Sequence, residues 1–179
     1  YENRALVLSP NSPVPLGNQT QATFSYNGEY IAFLNEDTDN DLKDVFDLYT
    51  FNYEDRNKFC NASSEENLVT YSDSYRKIDS DIANIYKMGH PPEIGLDYEW
   101  HPTKNIIFYI KKEPTKGKEF RYILSYHDLE RDDGSVQLLV STGTLFYPSI
   151  SRDGQYLLFS FLGKPSGTKF ENIPSDCIN

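Results

Sequence analysis

Apolar and aromatic residues cluster in short runs along this chain, and a tight polar turn recurs at a fixed place between them. Phe146 to Ile150 and Tyr156 to Phe161 flank Arg152-Asp153-Gly154-Gln155, and Ala22 to Asn35 repeats the arrangement around Asn27-Gly28. Asn-Gly and Asp-Gly suit a hairpin turn because Gly adopts positive φ without strain, and the flanking β-branched and aromatic side chains favour strands. A third copy, Leu96 to Lys111, keeps the pattern with His101-Pro102-Thr103-Lys104-Asn105 at the turn and no Gly. Each of the first two hairpins is followed by a further alternating stretch, Val45 to Tyr53 and Phe120 to Asp128, and then by a fourth, Asn67 to Tyr71 and Val136 to Thr142. Arg4 to Ser9 reads as another short strand, and the chain after Gly163 reads as loop.

Four consecutive antiparallel strands per repeat, the fourth leading into the next first, is the pattern of a β-propeller blade. The expectation is an all-β, partial propeller over residues 1–179, with blade repeats at about 20–72, 96–142 and from 145 through 163 onward. Trp100 and Ile150 hold equivalent places 50 residues apart, whereas Phe24 and Trp100 are 76 apart, which leaves an insertion at 73–95. There Tyr75, Ile78, Ile82 and Ile85 recur at helical spacing, Asp73 or Ser74 could cap, and Gly89 and Pro91-Pro92 would terminate. The periodicity predicts a helix over Ser74 to Met88, with Tyr75, Ile78, Ile82 and Tyr86 as partner-contact candidates; packing on its own blade is the alternative. Propellers need about four to eight blades. The ring is therefore expected to be completed by further chain or by additional copies.

Phe24-Ser25-Tyr26-Asn27-Gly28-Glu29-Tyr30-Ile31-Ala32-Phe33 resembles the F-S-P-D-G-x-x-I-A-F core of the TolB-type, WD-repeat-like propeller repeat. Asp47-Leu48-Tyr49-Thr50-Phe51-Asn52 resembles that family's third strand, and Ile150 to Phe159 matches the core again. The middle copy departs from it at the turn. The resemblance implies a propeller near the cell envelope that binds other envelope proteins through its loops, here Asn11 to Gln19 and Ser72 to Gly95. It specifies fold far more than function, since such repeats serve scaffolds, hydrolase lids and lyases alike.

Composition narrows the classes. Tyr and Phe are numerous, 14 and 11, against one Trp and one Met, which favours pleated surfaces over helix interiors. A formal charge of −10 and a pI near 4.7 leave no basic stripe for nucleic acid or an anionic membrane. No run of about 18 apolar residues would span a bilayer. The sequence opens at Tyr1, so removal of a leader or membership of a longer chain is expected. With the sequons at Asn18 and Asn61, that favours an extracytoplasmic setting, periplasmic, cell-surface or secreted. Cys60 and Cys177 leave a disulfide, two free thiols or an intermolecular bond open.

Candidate chemistry is sparse. Asp37, Asp39 and Asp41 alternate in an acidic loop and could converge on Ca²⁺; a solvated loop is the alternative, and Leu42 and Leu48 break an EF-hand pattern. His90, His101 and His127 lack ligand spacing, with His101 expected at the surface of its turn. Phe24, Tyr30, Phe33, Phe108, Tyr109, Phe146, Tyr156 and Phe159 read as core where blades pack. No nucleophile elbow or phosphate loop occurs. The expected function is a non-catalytic scaffold for a protein partner or for self-association. The alternative is the propeller portion of a hydrolase or polysaccharide lyase whose catalytic residues lie outside this chain.

Overall fold

The computed structural model describes residues 19–36, 45–55, 75–83, 97–116, 119–131, 133–162 and 169–170. Eleven strands fill most of these residues: β1 Gln19–Phe24, β2 Tyr30–Glu36, β3 Val45–Asn52, β4 Tyr75–Ala83, β5 Tyr98–Trp100 and β6 Ile106–Pro114, then β7 Phe120–Asp128, β8 Ser135–Ser141, β9 Thr144–Ile150, β10 Leu157–Leu162 and β11 Lys169–Phe170. A single 3-10 turn, Tyr53–Asp55, is the one helical element among the described residues. All pairings are antiparallel. The fold is all-β.

The strands fall into three groups. β1-β2-β3-β4 form one run, β5-β6-β7-β8 a second, and β9-β10 a separate pair. A single residue pair, Ile82 with Lys111, joins β4 to β6 and merges the first two runs into a nine-stranded sheet. β11 pairs with β8 where loop was expected. The described strands do not close into a ring.

The helix expected over Ser74 to Met88 is replaced, across Tyr75–Ala83, by strand β4. Its apolar spacing of 3 and 4 is that of a bulged strand. β4 carries two register shifts against β3, and each extra residue advances the side-chain phase, so Tyr75, Ile78 and Ile82 mimic a helical stripe. Asp81, at φ 60°, sits within one of these irregularities. What decides the matter is tertiary: the open edge of β3 accepts a strand there. Tyr75 stacks on Phe51 at 5.1 Å, Lys77 reaches Asp47 at 2.6 Å, and Ile82 is fully buried. The fourth strand expected at Asn67 to Tyr71, Tyr86, and Arg4 to Ser9 lie outside the described residues.

Alternation along the strands sends side chains to both faces and creates stacked layers. Ala32, Leu34, Phe46, Leu48 and Ile82 of the first run meet Tyr98, Trp100, Ile107 and Tyr109 of the second. The second run's other face, Ile110, Tyr122, Leu124 and Leu139, packs with Ala83, Leu145, Leu157, Phe159 and Phe161. On the far face of the first run, Ile31, Phe33, Tyr49 and Phe51 form an aromatic layer with Tyr75, the Phe33 and Tyr49 rings stacked 5.7 Å apart. The second run is thus covered on both faces.

Candidate interaction surface

Three hairpin turns built to one plan define one end of the molecule. In the first, Ser25 N–H donates to the Tyr30 carbonyl (2.8 Å), Ser25 Oγ donates to Asn27 Oδ1 (2.9 Å), and Glu29 N–H also donates to Asn27 Oδ1 (3.1 Å). The third reproduces this atom for atom: Ser151 N–H to the Tyr156 carbonyl (2.8 Å), Ser151 Oγ to Asp153 Oδ1 (2.5 Å), Gln155 N–H to Asp153 Oδ1 (3.1 Å). The Ser151 hydroxyl, then the Gln155 amide, hold the Asp153 carboxyl below its usual range. Gly28 and Gly154 both lie at φ 74°, which explains the glycine at each turn.

The middle turn substitutes His101 for the serine. Its Nδ1 accepts the Thr103 N–H at 3.1 Å, and the ring sits against Gly154 of the third turn. His101 was expected at the surface but is 6% exposed. Burial, with the nearby Lys104 charge, pushes its pKa down, and a hydrogen bond with the Gly154 backbone opposes this. A methyl group on Gly154 would lie 2.4 Å from His101 Cε1, so the missing side chain is what lets the two repeats approach. Asn105, at the end of the middle turn, reaches Glu29 Oε2 of the first at 3.2 Å.

A second row crosses the repeats along their first strands. Gln21, Asp97 and Tyr147 occupy equivalent places, three residues before Phe24, Trp100 and Ile150. Gln21 Nε2 donates to Asp97 Oδ2 (2.8 Å) and Asp97 N–H donates to Gln21 Oε1 (3.0 Å). Burial, then the Asp97 charge, raises the pKa of Tyr147. Gln21 and Tyr147 both adopt positive φ, 55° and 53°, a shared irregularity of β1 and β9. Beside this row the buried Tyr98 hydroxyl bonds the carbonyls of Gln21 and Ala32 and accepts from Thr23 Oγ1 (2.9 Å). Burial drives that phenol far above its usual range.

The charged groups between the first two runs are occupied with each other. Tyr109 Oη donates to Asp79 Oδ2 at 2.7 Å, and Lys111 Nζ lies 2.8 Å from Asp79 Oδ1. Burial alone would lower the Lys111 pKa, but the Asp79 hydrogen bond and charge outweigh it and raise it. Among the described residues, no group of three His, Cys, Asp or Glu side chains comes together as a metal site. His127 is buried with Nδ1 3.2 Å from Ser135 Oγ. No helix among them is long and apolar enough to cross a membrane.

Exposed apolar groups are unevenly placed. Phe24 and Tyr26 at the first turn, and Tyr156, Leu158 and Leu162 in the third repeat, are 49–67% exposed. Among the described residues the middle repeat contributes none of the large exposed hydrophobic side chains. Phe24 and Tyr156 therefore depart from the expected core, while Phe33, Phe108 and Tyr109 are buried in it. Of the expected contact residues, Ile82 is fully buried in the chain's own core, and Tyr75 and Ile78 are half-buried against the first run. Asp37, Asp39, Asp41, His90, Asn18, Asn61, Cys60 and Cys177 lie outside the described residues. Comparison with protein-family models, with curated proteins and with solved structures finds no match.

Proposed function

We propose that this chain is part of a β-propeller of TolB-like repeats that serves outside the cytoplasm as a non-catalytic scaffold for other protein surfaces. The observation that carries this reading is the distribution of exposed apolar side chains. Among the described residues, the middle repeat has a neighbour on each side and exposes no large hydrophobic group, whereas the two flanking repeats expose five. Apolar groups at the ends of a stacked series point to surfaces that other polypeptide covers. The polar side chains at the seams (Gln21 with Asp97, Tyr109 with Asp79, Asn105 with Glu29) are spent on holding repeats together. The acidic balance fits solubility and basic protein partners better than nucleic acid.

Native mass spectrometry of the protein gently isolated from its source tests this. The expected result is a defined non-covalent complex that dissociates in a Phe24→Ser/Tyr26→Ser or Leu158→Ser/Leu162→Ser variant, with hexose-sized mass steps from Asn18 and Asn61. A bare monomer that cleaves peptides or polysaccharides would overturn it.

A further inference from the structure

Asn27-Gly28 and Asp153-Gly154 form the same turn around two different side chains, an amide and a carboxylate. Ser25 Oγ (2.9 Å) and Glu29 N–H (3.1 Å) donate to Asn27 Oδ1, as Ser151 Oγ (2.5 Å) and Gln155 N–H (3.1 Å) donate to Asp153 Oδ1. Each serine hydroxyl is turned toward that oxygen because its own Oγ accepts a backbone N–H, from Tyr30 at 3.0 Å and from Tyr156 at 2.9 Å. A backbone N–H can only donate, so the atom facing Glu29 is the Asn27 oxygen, and Nδ2 is left on an exposed side chain. The two turns differ in chemistry. An amide carbon is an electrophile for the backbone nitrogen that follows it, and glycine sets no side chain in the way. Asn27-Gly28 is the one Asn-Gly pair in the sequence. Asp153 is held ionised, first by the Ser151 hydroxyl, and an ionised carboxylate is a poor electrophile. Room differs as well: a Cβ on Gly28 would meet nothing within 4 Å, whereas Gly154 lies against the buried His101 ring.

We propose that Asn27-Gly28 is a self-modification site, at which the side-chain amide deamidates in the folded protein and the turn keeps the product as aspartate. The Gly28 nitrogen attacks Asn27 Cγ and closes a succinimide ring. Its proton ends on Nδ2, the Cγ–Nδ2 bond breaks, and ammonia departs. Water then opens the ring. Cleavage between Cγ and the Gly28 nitrogen gives aspartate, and cleavage between the Asn27 carbonyl carbon and that nitrogen gives isoaspartate, with the main chain running through Cγ. Water is the sole co-reactant. Negative charge develops on Oδ1 during the attack, where two donors already point. Ring closure takes the Gly28 N–H from the Ser25 carbonyl (3.0 Å), one of several bonds that hold the turn. The third turn shows why aspartate is kept: Asp153 makes the hydrogen bonds that the product needs, and a carboxylate acceptor strengthens them. Isoaspartate lengthens the main chain by one carbon and moves its carboxylate off both donors, so it recloses and drains to aspartate. The conversion adds a negative charge beside the exposed Tyr26 and is independent of what the scaffold binds.

The test holds the folded protein in mildly alkaline heavy-oxygen water beside the synthetic peptide ATFSYNGEYIAFLN, Ala22 to Asn35. Both are mapped by mass spectrometry with fragmentation that separates aspartate from isoaspartate. The expected result is heavy oxygen at Asn27 and none at Asp153. The aspartate-to-isoaspartate ratio should be at least about fivefold higher in the protein than in the peptide, because only the folded turn supplies the hydrogen bonds that select the product. Ser25→Ala, which removes one donor, should bring the protein's ratio toward the peptide's. Asn27→Asp, which installs the product directly, should melt no lower than the unsubstituted protein. An Asn27 that stays intact in the protein while the peptide converts would overturn the inference. So would equal ratios in protein and peptide, labelling of Asp153 as fast as Asn27, or a lowered Tm in Asn27→Asp.

Discussion

Gly28 and Gly154 form a matched pair, and substituting each with alanine separates backbone strain from contact between repeats. Both lie at φ 74° in turns with the same hydrogen bonds. A Cβ on Gly28 meets nothing within 4 Å, whereas one on Gly154 meets His101 Cε1 at 2.4 Å and Nε2 at 2.5 Å. Gly28→Ala should therefore cost only the left-handed backbone term, about 1–2 kcal/mol. Gly154→Ala adds displacement of a ring that is buried and tied to Thr103 N–H, a further ~1–3 kcal/mol of overpacking. For a domain of this size each kcal/mol lowers Tm by about 2–4 °C. Urea unfolding followed by fluorescence and thermal melting would measure both variants. In a His101→Ser background, which installs the residue used by the other two turns, the Gly154→Ala cost should fall to the Gly28→Ala value. Equal costs for the two single variants would refute the claim that the second and third repeats are seated through this glycine.

Other perturbations follow from the same geometry. Ile82→Asp places a carboxylate in a fully buried site and should cost about 4 kcal/mol or more, unfolding the chain by circular dichroism; retained folding would contradict the strand assignment of β4. Tyr109→Phe removes the donor to Asp79 and should cost about 1–3 kcal/mol in denaturant titration. His101 has a folded pKa below its unfolded value, so its neutral form belongs to the native state. Its contribution is complete above the unfolded value of about 6.5 and is lost as pH falls from there toward the folded pKa. Tm measured from pH 8 to pH 5.5 should fall less in His101→Ser than in the unsubstituted protein, and identical profiles would exclude this role.

Hairpins and third strands were legible in the sequence because local chemistry and tertiary packing agree there. Asn27-Gly28 and Asp153-Gly154 demand the turns they form, and Phe120–Asp128 is a strand over the predicted residues. β4 was misread because bulges move an extended strand toward a spacing of 3 and 4, and nothing local to Tyr75–Ala83 reveals that β3 needs a neighbour. The His101 seat was hidden for a similar reason. A histidine beside Pro102 and Lys104 reads as surface, and its burial comes from a glycine 53 positions later in the chain. The exposure of Leu158 and Leu162 was equally invisible, since their pattern matches that of the buried strands β2 and β6; it follows from stacking, because no described layer covers that face of β10 as the second run covers Ala32 and Leu34.

Hydrogen exchange across the three equivalent second strands tests the central claim most directly. In dilute monomeric protein, amides of Ile31–Glu36 and Ile107–Lys112 should be protected along both edges, while about half of those in Leu157–Leu162 exchange at rates near those of unpaired chain. That result would establish three equivalent second strands, of which β10 alone has a single strand partner among the described residues. Uniform protection of all three strands would contradict it.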